Sequence, residues 1–110
     1  MRTAADELFD VAQNQLADLP NAWIVVASIP PLSSSIIQPN NVDRAQLGQD
    51  YNAALQQRVQ QRIAAGKHVR WADVYSVLSV SDLYDGVHPT QAAADKVAQV
   101  WFDALTPILP

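Results

Sequence analysis

The order of hydrophobic patterns along this 110-residue chain predicts an α/β fold with a parallel sheet. Three helical patterns alternate with two short segments that are predicted to be strands, and the first of these is a continuous apolar run. A continuous apolar run is typical of a strand covered on both faces, which is how the strands of a parallel sheet are buried. Right-handed helical crossovers would connect such strands.

The first half of the chain is expected to form a helix, a strand and a long loop. Apolar residues recur at three- and four-residue steps over residues 5–19, and Pro20 ends the pattern. The strand covers residues 23–27 and stops before Pro30, because proline cannot continue a hydrogen-bonded ladder. Residues 32–46 are rich in Ser, Asn, Gln and Pro and are predicted to be a loop, and loops of this length are often functional.

The second half predicts two further helices around a second strand. The second helix starts at about Leu47 and ends at Gly66, a residue suited to a helix C-terminus. The second strand covers residues 68–74, and a short helical turn is expected at 81–84. The last helix follows Thr90, whose hydroxyl can cap its first turn.

Composition limits the classes of protein to which the chain can belong. Its length suits a single domain, residues 1–110, and 49% hydrophobic residues suffice for a packed core. With 7 Lys and Arg against 11 Asp and Glu, the net charge is -4, which argues against nucleic acid as a partner. The absence of cysteine excludes disulfides, thiolate metal sites and a cysteine nucleophile. No stretch has the length of a membrane span or the form of a signal peptide, so no membrane partner is expected.

Two strands are few for three amphipathic helices. A two-stranded parallel sheet leaves both edges open and offers little surface for the helices to cover. We therefore expect further strands from an N-terminal segment or from a second copy of the chain, with a self-sufficient small domain as the alternative.

The segment Asp85-Gly86-Val87-His88-Pro89 carries the clearest chemical signal. An Asp three residues before a His can accept a hydrogen bond from Nδ1 if the turn folds back, which leaves Nε2 free as a general base. Gly86 permits such a turn. The spacing alone fits equally an Asp-stabilised turn with a surface histidine.

The surrounding residues extend this signal to a family resemblance. The segment 82–90, DLYDGVHPT, and the helix after it with Lys96, Ala98 and Trp101 resemble the last conserved block of SGNH/GDSL hydrolases. Three further segments are similar in the expected order: the strand at 24–31, the helix with Tyr51 and Asn52, and the strand at 69–75. The chain looks most like the acetyl-xylan-esterase branch, carbohydrate esterase family three.

The resemblance implies a fold, a set of roles and a substrate class. The fold would be a partial three-layer α/β/α flavodoxin-like fold, the C-terminal half of an SGNH hydrolase, without its N-terminal strands. His88 would be the general base and acid and Asp85 would orient it, while a serine attacks an ester of an acetylated carbohydrate. No cofactor or metal is implied. Tyr84 and Ser28 are candidate substrate contacts, and an extracellular location is suggested by the resemblance alone.

Two features depart from the family pattern. Ala93 stands at a position of the last helix that is usually Gly, which concerns packing. The nucleophile block Gly-Asp-Ser and the Gly-x-Asn-Asp block that contributes to the oxyanion hole are both absent from the sequence, whose glycines are Gly48, Gly66 and Gly86. The chain alone is therefore expected to be nearly inactive.

Two alternatives to a half-enzyme stay open at the level of sequence. One is a non-catalytic module that self-associates through an open sheet edge. Another is a complete hydrolase using a resident serine, Ser28 or one of residues 33–35, although no nucleophile motif surrounds these residues. A metal site made from Asp82, Asp85 and His88 would be poor, because all three lie within one short loop.

Overall fold

The computed structural model describes residues 4–15 and 21–110, in which helices pack on both faces of a small sheet. The helices are α1 (Ala4–Gln15), α2 (Arg44–Ala64) and α3 (Gln91–Leu105). The strands are β1 (Ile24–Ala27), β2 (Ile36–Ile37), β3 (Val42–Asp43) and β4 (Val69–Ala72). Single 3₁₀ turns follow at Tyr75–Val77, Val80–Asp82 and Thr106–Ile108. The predicted continuation of the first helix through residues 16–19 lies outside the described residues.

The parallel sheet that the sequence predicts is present. Strands β1 and β4 pair in parallel, with Ile24 opposite Val69 and Ala27 opposite Ala72. Both strands are shorter than expected, since Trp23 precedes β1 and β4 ends at Ala72. The two carboxyl ends therefore meet at the same edge of the sheet, where open α/β folds place their ligands.

Each face of the sheet has its own apolar core. On one face α1 and α2 cover the strands, and the buried residues there are Phe9, Val26, Leu55, Val59 and Val69. On the other face α3 and the segment after β4 enclose a second cluster of Val74, Leu78 and Ala93, with Ala27, Val97 and Val100 against it. The described residues thus form the three layers of an α/β/α arrangement, which confirms the predicted fold class.

The helix ends show how the sequence sets these boundaries. Helix α2 begins at Arg44, three residues before the predicted start, because the Asp43 side chain caps it by accepting from the Ala45 N–H at 3.3 Å. Its C-terminus is followed by Gly66 with φ +80°, a conformation that favours glycine. Helix α3 is capped as predicted, with the Thr90 hydroxyl accepting from the Ala93 N–H at 3.2 Å.

The loop predicted at 32–46 contains a small hairpin and the start of α2. Strands β2 and β3 pair antiparallel, with Ile36 opposite Asp43. The pattern of the sequence did not predict this hairpin, because two-residue strands are too short to show a periodicity.

Within residues 4–15 and 21–110, no helix is long and apolar enough to cross a membrane. The same residues contain no cluster of three His, Cys, Asp or Glu side chains that could hold a metal ion.

Candidate active site

Asp85 and His88 are held together by one carboxylate and the turn between them. Asp85 Oδ1 accepts hydrogen bonds from the backbone N–H groups of Val87 at 2.9 Å and His88 at 2.6 Å. Its other oxygen, Oδ2, lies 2.5 Å from His88 Nδ1. These contacts fix the imidazole ring and direct the Nδ1 proton toward the carboxylate. No hydrogen bond from the described residues reaches Nε2, and the His88 side chain is 63% exposed.

The same contacts hold Asp85 in its ionised form. The backbone N–H of His88, then the His88 side chain and the Val87 N–H, lower the pKa of the Asp85 carboxyl from 3.8 to about 2. A carboxylate in this position stabilises positive charge on the imidazole ring. His88 is therefore equipped to accept a proton at Nε2 and to carry it as an imidazolium.

The turn that carries the pair closes on its own backbone. Tyr84 N–H donates to the His88 carbonyl at 3.0 Å, and an isolated antiparallel bridge joins Leu83 to Pro89. Gly86 lies inside this turn with φ +84°. Because an L side chain rarely adopts that conformation, glycine is the residue that the turn requires.

A contact from a distant loop supports the turn from outside. Ser33 N–H donates to the Gly86 carbonyl at 3.0 Å. Arg44 in turn holds Ser33: its Nε donates to the Ser33 carbonyl at 3.1 Å, and its Nη2 to the Ser33 hydroxyl at 2.5 Å. A Cβ at Gly86 would lie 2.3 Å from the Ser33 hydroxyl oxygen, so the approach itself demands a glycine. No local pattern in the sequence indicates that Arg44 and Ser33 support this turn.

The opposite end of the turn is tied to α3. The Asp82 carboxylate accepts a hydrogen bond from the Ser79 N–H at 2.9 Å in a capping box. It also forms an ion pair with Lys96 at 3.2 Å. The Ser79 N–H, followed by Lys96, lowers the pKa of the Asp82 carboxyl below its usual value. The Asp82 carbonyl also accepts the Thr90 N–H at 2.8 Å, so the site loop and the start of α3 form one connected unit.

The two candidate substrate contacts occupy different environments. The Tyr84 ring stacks on the His88 ring, with 5.9 Å between centroids and 21° between planes, and Tyr84 is 71% exposed. Ser28 is buried at the end of β1; its hydroxyl accepts from the Tyr75 N–H at 2.9 Å and lies 3.5 Å from Asp73 Oδ1. Ser28 lines a cleft to which neither Tyr84 nor the Asp85–His88 pair contributes. Tyr84 therefore lies beside the Asp85–His88 pair, whereas the hydroxyl of Ser28 contacts Tyr75 and Asp73.

Comparisons with known proteins identify one solved structure with the same architecture. No family model matches the chain, and no curated protein matches its sequence. A structure described as "Clostridium thermocellum family 3 carbohydrate esterase" superposes with a TM-score of 0.73 at 22% identity. The match covers 96% of this chain and 48% of that chain, so this chain spans about half the length of the esterase. At this identity the similarity establishes the fold alone, so this chain has an α/β fold that corresponds to about half of that esterase structure.

Proposed function

We propose that this chain supplies the acid–base arm of a serine esterase site that hydrolyses carboxylic esters, with acetylated carbohydrate as the substrate class. The observation that carries the proposal is the 2.5 Å contact between Asp85 and His88 Nδ1 on a loop that leaves Nε2 exposed. The shared fold with a family 3 carbohydrate esterase supports the ester and carbohydrate assignment.

In this mechanism His88 moves the proton and a serine forms the covalent bond. Nε2 takes the proton of a serine hydroxyl as its oxygen attacks the ester carbonyl carbon. The tetrahedral intermediate collapses, the sugar oxygen leaves with the proton returned by His88, and an acetyl-serine is left. Water then attacks this ester and gives a proton to Nε2. When the second tetrahedral intermediate collapses, His88 returns that proton to the serine oxygen, which regenerates the serine hydroxyl, and acetate is released. Asp85 stabilises the imidazolium during both steps.

The serine nucleophile would come from a segment outside these 110 residues. The sequence contains no Gly-Asp-Ser block, and Ser28 and Ser33 have hydrogen bonds that occupy their hydroxyl groups. A segment homologous to the other part of the esterase, present in the same protein or in a partner, would bring the serine and oxyanion donors. The chain alone is then expected to show at most trace hydrolysis, because losing a triad member costs serine hydrolases several orders of magnitude in rate.

The first test is labelling with a fluorophosphonate probe, which reacts with activated serines. We expect no His88-dependent adduct on the purified chain. After addition of the nucleophile-bearing half of the family 3 esterase, we expect labelling of that half and hydrolysis of an acetyl ester, both lost in His88→Ala. His68→Ala is the matched control, because His68 is also exposed but stacks on Trp23 at 4.5 Å instead of pairing with a carboxylate.

Two outcomes of this test would contradict the proposal. A stoichiometric adduct on a serine of the chain alone, lost in His88→Ala, would show a complete hydrolase. A complemented complex that hydrolyses the ester equally well with His88→Ala would remove the assigned role of His88.

A second candidate is a non-catalytic module that associates with itself. It is favoured by the sheet, since β1 and β4 pair only with each other among the described residues. Both outer edges are then available to another strand.

A further inference from the structure

A cleft of about 310 Å³ opens at the carboxyl end of the sheet, on the face covered by α2. Its size falls at the lower end of the range for small-molecule sites. Neither Tyr84 nor the Asp85–His88 pair lines it, so the residues of the cleft differ from those of the candidate active site.

Helix α2 contributes one amide-bearing side of the cleft. Gln49, Ala53 and Gln56 line it, at spacings of four and three residues that place them on one helical face. The two glutamine side chains are exposed and make no hydrogen bond with the part of the chain that the structure describes. Each therefore offers a free carbonyl oxygen and a free NH₂ group to a ligand. Ala53 between them leaves room for it.

The end of β4 contributes the opposite side. The half-buried rings of Trp71 and Tyr75 line the cleft together with the Asp73 carboxylate. Asp73 accepts from the Ser76 N–H at 3.1 Å and from the Ser76 hydroxyl at 2.6 Å. Because a carboxylate has about four lone-pair sites, Asp73 retains capacity to accept a further hydroxyl.

The floor of the cleft is fixed by buried polar groups. Asn52 binds both backbone groups of Ile29, accepting from its N–H at 2.9 Å and donating to its carbonyl at 3.0 Å. The buried Ser28 hydroxyl accepts from the Tyr75 N–H. These contacts connect β1 to α2 and to the turn after β4, so the walls are held in place before any ligand arrives.

We propose that this cleft binds a neutral, hydroxyl-rich ring ligand of the size of one sugar unit. Amides and a carboxylate would bind the hydroxyl groups, and the Trp71 and Tyr75 rings would contact the apolar C–H face. No Lys, Arg or His lines the cleft, and its one carboxylate repels anions, so a phosphorylated or acidic ligand does not fit. This assignment needs no nucleophile and does not depend on the esterase proposal.

The test is a titration of the 110-residue chain monitored by NMR. Methyl glucoside is the neutral probe, and glucuronate is the anionic probe of the same ring size. We expect methyl glucoside to bind in the millimolar range and to shift the Trp71 indole N–H and the side-chain amides of Gln49 and Gln56. Glucuronate should leave these signals in place.

Two variants and one matched control locate the binding. Ala53→Leu fills the cleft with a good helix former and should abolish the shifts. Gln56→Ala removes one hydrogen-bonding group and should weaken binding roughly three- to tenfold. Gln57→Leu changes an exposed neighbour on the same helix that does not line the cleft, and should bind normally.

Three results would overturn the proposal. One is the absence of shifts with the neutral probe at saturating concentration. Another is binding of glucuronate as tight as that of methyl glucoside. The third is equal binding by the wild type, Ala53→Leu and Gln56→Ala, which would place the ligand elsewhere.

Discussion

At the scale of single residues, the ionised carboxylate of Asp85 is one of the groups that hold the Asp85–His88 turn together. Its pKa lies at about 2 in the folded chain against an ordinary value of 3.8, mainly because the His88 N–H and side chain bind the ionised form. Since folding lowers the pKa, the carboxylate stabilises the folded state fully above about pH 4, and this contribution is lost as the pH falls toward 2.

We expect the side-chain ¹³C signal of Asp85 to titrate near pH 2 and the free energy of unfolding to fall between pH 4 and 2. Asp85→Asn should reduce this pH-dependent decrease in the free energy of unfolding. Asp50→Asn is the control, because Asp50 lies on the exposed surface of α2 and its side chain, among the described residues, accepts one hydrogen bond, from the Gln46 side chain. An Asp85 midpoint near 4, or the same acid sensitivity in Asp85→Asn as in wild type, would contradict the assigned contacts.

The spacing of Asp85 and His88 along the chain predicted that they form a pair, but it did not predict the contacts that support their turn. Asp85 and His88 are three residues apart, so a turn alone can join them, and the sequence was sufficient. Ser33 and Gly86 are 53 residues apart in the chain, and no local pattern signals that their loops meet. The roles assigned to His88, Asp85 and Tyr84 in catalysis stay predictions.

At the scale of the element, Gly86 sets how closely the site turn and the Ser33 loop approach. We expect Gly86→Ala to destabilise the chain in two ways. The left-handed φ of +84° costs an alanine about 1–2 kcal/mol, and crowding against Ser33 adds about 1–3 kcal/mol. Ser33 cannot move aside freely because Arg44 binds both its carbonyl and its hydroxyl.

Gly66 provides a matched control for the crowding effect. Its φ is +80°, yet nothing lies within 4 Å of the position of an added Cβ. Gly66→Ala should therefore show only the conformational cost, in urea denaturation of both variants. Equal losses of stability at the two positions would contradict the close contact between Gly86 and Ser33.

Element types were predictable from periodicity, while several element ends were not. Helix α2 starts at Arg44 because Asp43 caps it, and the same carboxylate also accepts from the Ser34 hydroxyl at 3.0 Å and the Ser35 N–H at 3.1 Å. Hydrophobic periodicity begins only at Leu47, one turn later, so a pattern-based start was late. Thr90, by contrast, stands directly before its helix and was identified correctly.

At the scale of the whole molecule, the sequence predicted the layered arrangement because each helix has one apolar face and the first strand is apolar on both of its faces. It could not show how the sheet is completed. Among the described residues, the parallel sheet has two strands, and an apolar core lies on each of its two faces. A sheet this narrow exposes backbone groups along both edges, and this exposure is the physical basis for self-association or for complementation by another segment.

Self-association and complementation through the outer edge of β1 can be tested by one substitution that removes a backbone N–H donor. The Ile24 N–H donates to the carbonyl of His68, just before β4, at 2.9 Å, and the Ser28 N–H donates to the Ala72 carbonyl at 3.0 Å. By alternation along the strand, the Val25 N–H therefore points to the open edge. Val25→Pro removes that donor without removing a β1–β4 hydrogen bond.

We expect the wild-type chain to form dimers as its concentration rises in sedimentation velocity experiments. Val25→Pro should shift the equilibrium toward monomer and retain the circular dichroism spectrum of the wild type. The nucleophile-bearing half of the esterase should compete with the dimer, because both would pair with the same edge. A wild-type chain that stays monomeric at all concentrations, or a dimer unaffected by Val25→Pro, would place the association surface away from β1.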